Sequence, residues 1–265
     1  SSLLQDTQLF NGLCLAYCQT HKPPKNLAPG PDGLTYSFYK QNWGLMKEIL
    51  RELYNYILNE GNIINGFSDG IIILIPKKIK PTIAEDFRPI TLLNTDYKIL
   101  MKIIAERLKT GSKDIFEIGQ NCCIPDKSII DNLTTLRDTI LHYEENPKAN
   151  GAIISIDFNK AFDRVNHTYL QKVIEHVCIP REIANIIKNT YEIAQSKIQI
   201  NGYFTKQIHI NSSIRQGCPL SMILFALCIE PLIRKSHHNF RIRGTTKKNT
   251  VFKVRAYADD IVHII

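Results

Sequence analysis

The sequence predicts an α+β protein, with helices dominating the first half and an antiparallel sheet organising the second. Three observations predict it. Apolar residues recur at helical spacing over 46–57, 97–108 and 129–140. The stretch "KIQINGYFTKQIHI" at 197–210 alternates polar and apolar residues on both sides of Asn201-Gly202, a dipeptide suited to a two-residue hairpin turn. Two apolar, β-branched runs, "AIISI" at 152–156 and "IVHII" at 261–265, each stand beside aspartate.

In chain order, "HKPPKNLAPGPDG" at 21–33 is too rich in Pro and Gly to be anything but loop. Met46, Ile49, Leu50, Leu53 and Ile57 fall on one helical face, and Gly61 ends that helix. "IIILIP" at 71–76 reads as a strand closed by Pro76. Tyr97, Leu100, Met101, Ile104 and Leu108 stripe a second helix. Ser128 and Asp131 make a capping-box pattern for a third, striped by Ile129, Leu133, Leu136 and Ile140. "AIISI" reads as a buried strand, followed by a helix with Leu170, Val173, Ile174 and Val177 inward and another marked by Ile183, Ile186 and Ile187. Residues 219–233, "PLSMILFALCIEPLI", are apolar nearly all round and predict a helix buried on most sides. "VFKVRAY" alternates and "IVHII" follows, which makes Ala258–Asp260 a hairpin tip.

Composition narrows the function. The formal net charge of +8 and a pI near 9 favour a polyanionic partner. No apolar run approaches the ~18 residues a membrane span needs, and the start, "SSLLQDTQLF", carries no signal-peptide pattern. The chain lacks an initiator Met and ends inside an apolar run, so both ends read as cut from a larger protein. Seven cysteines without regular spacing argue for reduced, mostly buried thiols in an intracellular protein. Cys14, Cys18 and His21 cluster, but no second ligand pair accompanies them, which argues against a zinc site.

The chemistry concentrates in carboxylates. Asp157 ends the strand "AIISI", and Asp259 and Asp260 occupy the later hairpin tip. A lone Asp at such a place is an ordinary turn former or cap. Three of them at the ends of two apolar strands converge on one sheet edge if the strands are neighbours. Their repulsion is then relieved by a hard cation, and two Mg²⁺ ions ~4 Å apart suit phosphoryl transfer.

The motifs extend this reading. "AYADD" at 256–260 resembles the signature hairpin of reverse transcriptases, "ISIDFNKAFDRVNH" their first catalytic segment, and "IRQGCPLS" their template- and nucleotide-positioning segment. "PGPDGLTYSFYK", "IILIPKK" and "FRPITLLNTDYKILMKIIAERL" resemble the finger region of non-LTR retrotransposons of the long interspersed element class. The resemblance covers residues 27–265 in the family's order. It implies a right-hand polymerase fold, with helical fingers at 1–150 and 178–214 and a palm at 151–177 and 215–265, its antiparallel sheet backed by helices and the thumb absent.

It also implies roles. Asp157, Asp259 and Asp260, with the main-chain carbonyl of Phe158, hold two Mg²⁺ ions or Mn²⁺ in their place. Lys77 and Arg88 grip the triphosphate. Phe162 lies under the incoming sugar and excludes a 2′-OH, where the residues alone would suggest a core aromatic. Arg215, Gln216, Gly217 and Tyr257 lie against the nucleotide. Lys78 and Lys80 read as a solvated basic loop, His237 and His238 as solvated, Gly30, Asp32 and Gly33 as setting backbone geometry, Asp163 as a helix-start acceptor and Asn166 as a cap. The sequence departs from the family's pattern at Met222 and Ala226, and at Cys122-Cys123, where Gly-Phe is usual.

The implied reaction is RNA-directed DNA synthesis: template-directed transfer of deoxynucleotides from their triphosphates to the 3′-OH of a DNA primer on an RNA template. No membrane is involved, and the setting is intracellular, in nucleus and cytoplasm. Alternatives are a group II intron-type reverse transcriptase and a decayed or co-opted remnant that only binds nucleic acid. With "IVHII" read as an exposed apolar edge, residues 1–265 alone are expected to fold partly, bind nucleic acid weakly and extend primers poorly.

Overall fold

The computed structural model describes residues 28–265 apart from positions 118, 147, 149, 178, 248 and 249. Cys14, Cys18 and His21 lie outside the described residues. The chain divides into two compact units. One runs up to Ala105 and resumes over Asn166–Ser221, and the other combines Glu106–Val165 with Met222–Ile265.

The first unit is built on a sheet. β1 (Gly70–Pro76) pairs antiparallel with β2 (Phe87–Leu93) and parallel with β4 (Gln195–Ile200), which carries β5 (Tyr203–Phe204) and β6 (Ile208–His209) on its far side. The parallel pair forms across a long crossover, as parallel strands require. The sequence reading missed β2. Pro89 interrupts its pattern, but β2 is an edge strand, where a missing N–H costs little. At the predicted hairpin, Asn201 and Gly202 both take positive φ, 51° and 85°, the backbone a tight turn between twisted strands requires.

Helices complete this unit. α1 (Tyr36–Gln41) is capped by the Thr35 hydroxyl, and α2 (Trp43–Glu60) ends at Gly61 in the left-handed conformation. α2 buries Leu50, Tyr54, Ile57 and Leu58, whereas Ile49 is exposed. The inward face is thus rotated from the predicted one, because Tyr54 packs inward and its hydroxyl donates to the Asp96 carbonyl. α3 (Thr95–Thr110) begins in this unit and its last turn, with the short α4 (Ser112–Ile115) after it, belongs to the second; all five of its predicted stripe residues are buried. α6 (His167–His176) and α7 (Arg181–Glu192) bury the predicted Leu170, Val173, Ile174, Ile183, Ile186 and Ile187, whereas Val177 falls just past the end of α6 and is half-buried, and the Asn166 side chain accepts the Tyr169 N–H as the predicted cap. Asp163 belongs instead to the 3-10 turn Phe162–Arg164, ahead of that helix.

The loop before α1 serves the backbone, as read from sequence. Gly33 donates its N–H to the Gly30 carbonyl, and a Cβ at Gly30 would collide with the Asn94 amide. Nearby, burial pushes the Asp96 carboxyl up to about 6, with the Asp32 charge adding to the effect. An acid whose folded pKa is raised binds its proton more tightly when folded, so stability falls as pH rises from about 4 to about 6. Asp96→Asn is expected to flatten that slope and to raise stability at pH 7.5 by on the order of 2 kcal/mol, measured by urea denaturation at both pH values.

The second unit holds a three-stranded antiparallel sheet in the order β3 (Ile153–Ile156), β10 (Asp260–Ile264), β9 (Val254–Tyr257), with a separate hairpin of β7 (Thr245–Lys247) and β8 (Thr250–Phe252). Three expectations are corrected here. "IVHII" is the central strand, paired on both sides, so it is no exposed edge. "AIISI" is the edge, and it is not buried: Ile153 and Ile154 are 37% and 46% exposed. β9 does not alternate, because Val254, Arg255 and Ala256 are all buried. Arg255 is covered by α5 (Ile129–Glu145), where it donates to the Thr135 hydroxyl at 3.2 Å, and its guanidinium lies 4.2 Å from the Phe252 ring centroid.

α5 has the predicted capping box. Ser128 Oγ accepts the Ile130 N–H, and Asp131 returns a carboxylate to the Ser128 N–H. Its predicted stripe is exposed at Ile129, Leu133 and Ile140, because the helix turns Thr135 and Thr139 inward instead. α8 (Ser221–His237) is buried without a break from Ile223 to Glu230, as its composition predicts, while Met222, Pro231, Leu232, Arg234 and Lys235 are exposed.

Candidate active site

The second unit brings two of the predicted segments to one end of a sheet. The ladder between β3 and β10 pairs Ile156 with Ile261. Carried one step further, that register sets Asp157 across from Asp260. Residues opposite each other in an antiparallel pair project from the same face. Asp260 is itself in the ladder, opposite Tyr257, so the tip is the two residues Ala258 and Asp259, with Ala258 at φ 55°. Asp157 and Asp260 are exposed, Asp259 is half-buried, and none of the three carboxylates has a hydrogen bond or ion pair with a described residue. A donor set of free carboxylate oxygens suits a hard cation. Among the described residues, no three His, Cys, Asp or Glu side chains are gathered closely enough to hold a metal ion. The acids share an edge without forming a finished ligand set.

Sequence reasoning missed what holds this hairpin. The loop Gly119–Cys123 lies along β9. The Ala256 N–H donates to Gly119 O at 2.8 Å, and the Ala256 carbonyl accepts from Asn121 N at 3.1 Å and from the Asn132 side chain at 2.9 Å. The amide of Asn121 also reaches Asn132 Oδ1 at 2.7 Å, which ties the loop to α5. Cys122 and Cys123 sit at the end of this loop, with sulfurs 3.6 Å apart. The Cys122 thiol is held well above its usual range by its hydrogen bond with Cys123 and by burial, and the Asp259 charge raises it further. This segment departs from the family's pattern at Cys122-Cys123, so no sequence signal pointed to it.

Phe162 stacks on Phe225, with centroids 4.5 Å apart and rings inclined by 24°. Phe225 is fully buried while Phe162 is half-buried. One face of the Phe162 ring is therefore backed by the core of the unit.

The remaining candidates belong to the first unit. Lys77 and Arg88 are both exposed and lie at the same end of the β1–β2 ladder, where Ile75 pairs with Arg88 and Pro76 with Phe87. Lys77 Nζ donates to the Glu85 carbonyl at 3.1 Å. Lys78 is not a bare solvated charge. It pairs with Asp86 at 2.9 Å and holds that carboxyl below its usual range.

Gln216 and Gly217 are clamped to the sheet edge. Gln216 O accepts the Thr91 N–H at 2.7 Å. Gly217 adopts φ 123°, and a Cβ there would strike the Thr91 carbonyl oxygen, so the close approach admits only glycine. Arg215 is only 3% exposed, with its guanidinium donating to the Ser68 carbonyl and standing 5.9 Å from the Tyr97 ring centroid. Its main-chain oxygen accepts from the Ser221 hydroxyl at 2.6 Å. As a direct nucleotide contact Arg215 is therefore corrected: burial turns its charge into the unit, where it braces the Gln216–Gly217 turn.

The second unit thus carries an antiparallel sheet ending in aspartates, and the first a glycine turn held against a strand edge. The profile of the family "Reverse transcriptase (RNA-dependent DNA polymerase)" matches residues 75–265, and the chain belongs to that family. The right-hand polymerase fold goes with it. Among similar proteins, the transposon TX1 149 kDa protein of Xenopus laevis is 33% identical over 244 residues, covering 90% of this chain and 18% of its own length. The Pol polyprotein of the type-2 retrotransposable element R2DM of Drosophila melanogaster is 27% identical over 89% of this chain and 21% of its own. The chain thus spans about a fifth of the length of these relatives. A structure of apo telomerase from Candida tropicalis, truncated from its C-terminal domain, gives a TM-score of 0.47 at 14% identity, over 86% of this chain and 56% of that one.

Proposed function

We propose that this chain is the fingers-and-palm portion of an RNA-directed DNA polymerase from a non-LTR retrotransposon, working inside the cell on an RNA template, a DNA primer and deoxynucleoside triphosphates. The observation that carries the proposal is the β3–β10 register, which supports Asp157 and Asp260 as partners at one sheet end with Asp259 beside them. Fingers are assigned to residues 1–150 and 178–214 and palm to 151–177 and 215–265, following the motifs.

Asp157, Asp259, Asp260 and the Phe158 carbonyl are the groups that would hold two Mg²⁺ ions. Such ions, when bound, activate the primer 3′-OH and neutralise charge on the leaving pyrophosphate. The chain's own residues do the rest. Lys77 and Arg88, exposed at one end of the β1–β2 ladder, bind triphosphate oxygens. The Gln216–Gly217 turn lets main chain approach the nucleotide closely, and Tyr257, opposite Asp260, borders the aspartate end of the second unit's sheet. The test is extension of a labelled DNA primer on an RNA template with deoxynucleotides and Mg²⁺. Extension that stops on chelation is expected, and metal-independent extension overturns the proposal.

Phe162 supplies the sugar selectivity. Its ring is fixed from behind by Phe225, so it meets a 2′-OH as a rigid wall. Phe162→Val is expected to raise ribonucleotide incorporation relative to deoxynucleotide by about 10-fold or more, since a steric wall is worth a few kcal/mol. The ratio of the two incorporation efficiencies checks this. An unchanged ratio leaves Phe162 as core packing.

A further inference from the structure

A cleft of about 700 Å³ opens in the second unit between the end of α5, the start of β3 and the β7–β8 hairpin. Its lining includes Arg241, Arg243, His142, Tyr143, Asn150 and Thr245, and contains no aspartate or glutamate. Both arginine side chains are exposed, and neither has an ion pair with a described residue. The preceding residue, Phe240, is 86% exposed, and the Arg241 guanidinium lies 5.8 Å from its ring centroid. The hairpin itself is held in place: the Tyr143 hydroxyl and Thr245 Oγ1 are 3.3 Å apart, and Gly244, at φ 70°, is pressed against the Phe252 carbonyl. Lys253 Nζ donates to the Asn239 carbonyl at 2.9 Å, which fixes the loop that carries Phe240.

Two guanidinium groups with no ion pair to a described residue, over a cleft whose lining carries no acidic side chain, favour anions. Phe240 does not line the cleft, but its exposed ring beside the Arg241 guanidinium offers a face on which a flat ring joined to such an anion can stack. Arginine forks bind phosphates, and an exposed aromatic carries stacked bases of any sequence. We infer that Arg241 and Arg243 form a second nucleic-acid contact, apart from the aspartate edge, that grips the backbone of a single strand while Phe240 stacks one of its bases. The inference rests on the polymerase reading only for the supply of such a strand. It gives the enzyme a hold on unpaired nucleic acid that does not pass through the catalytic carboxylates.

The test measures equilibrium binding of a labelled 20-nucleotide single strand, as RNA and as DNA, and of a matched duplex, from 50 to 200 mM salt. Single-strand affinity falls with salt by about 0.7 log units per log unit of salt for each phosphate neutralised. The Arg241→Gln/Arg243→Gln variant should therefore bind single strands more weakly and with a slope shallower by about 1.4, so that the parent's advantage shrinks about sevenfold across that salt range. Phe240→Ala should lower affinity without changing the slope. RNA and DNA arms that respond equally identify the shared phosphate chemistry as the ligand, and a response in one arm alone identifies that strand. Unchanged affinity and slope, or a loss confined to the duplex, overturns the inference. Binding is scored separately from primer extension: a protein that shows these binding changes but never extends a primer leaves this contact standing and removes the polymerase reading.

Discussion

Asp259→Asn should abolish primer extension, by at least about 100-fold in rate, while the protein stays folded and still binds nucleic acid within about twofold of the parent. The direction follows from where the side chain stands. Asp259 is at the tip of a two-residue turn and bonds to no described side chain, so the neutral amide removes nothing from the fold. It removes a carboxylate from the set that would hold the metal ions, and losses at metal ligands exceed the 10–100-fold seen for the groups that merely support them. Affinity for nucleic acid comes from lysine and arginine contacts with phosphate, which the substitution leaves alone. Extension at the parental rate would remove Asp259 from the catalytic set.

Gly217→Ala should be strongly destabilising to the first unit. Glycine is there for two separate reasons: a φ of 123°, and the Thr91 carbonyl oxygen in the space a Cβ would fill. Backbone strain of this kind costs about 1–3 kcal/mol, and the collision adds to it, so a loss of about 2–4 kcal/mol is expected. The Gln216–Thr91 hydrogen bond would break with it, and extension should fall because the turn no longer sits on the sheet edge. Gly33→Ala is the comparison: it too has positive φ, 73°, but nothing lies within 4 Å of its Cβ position, so about 1 kcal/mol is expected. Urea denaturation of the two variants separates the cases, and equal losses would mean that the Thr91 contact is not what fixes Gly217.

What could be read from the sequence was local. Asn201-Gly202, Gly61 and the Ser128–Asp131 capping box each encode their conformation within a few residues, and each is realised. The stripe of α3 and the apolar first half of α8 were legible because burial on most sides leaves little choice of face. The failures are tertiary. "AIISI" has the composition of a buried strand but occupies a sheet edge, and the stripe of α5 is exposed because Thr139 is buried and Thr135 turns toward Arg255 instead. Pro89 hid β2, since only its place at the edge makes a proline acceptable there.

For the candidate site, motifs alone single out the acids and the glycine turn, and the assignment stands as a proposal. Their support was not legible. Nothing near Gly217 announces Thr91, nothing near Ala256 announces Gly119 and Asn132, and nothing at Arg215 announces that its charge is buried against Ser68 and Tyr97. Pairings between residues distant in the chain leave no local pattern to read.

The most direct measurement is the sequence of the product. A DNA primer annealed to RNA templates of different defined sequence is extended with the four deoxynucleotides, and the newly made strands are sequenced. Strands complementary to each RNA template, lost in the Asp157→Asn and Asp259→Asn variants, are the predicted result. Strands that ignore the template, or templated strands made equally well without those aspartates, would contradict the account.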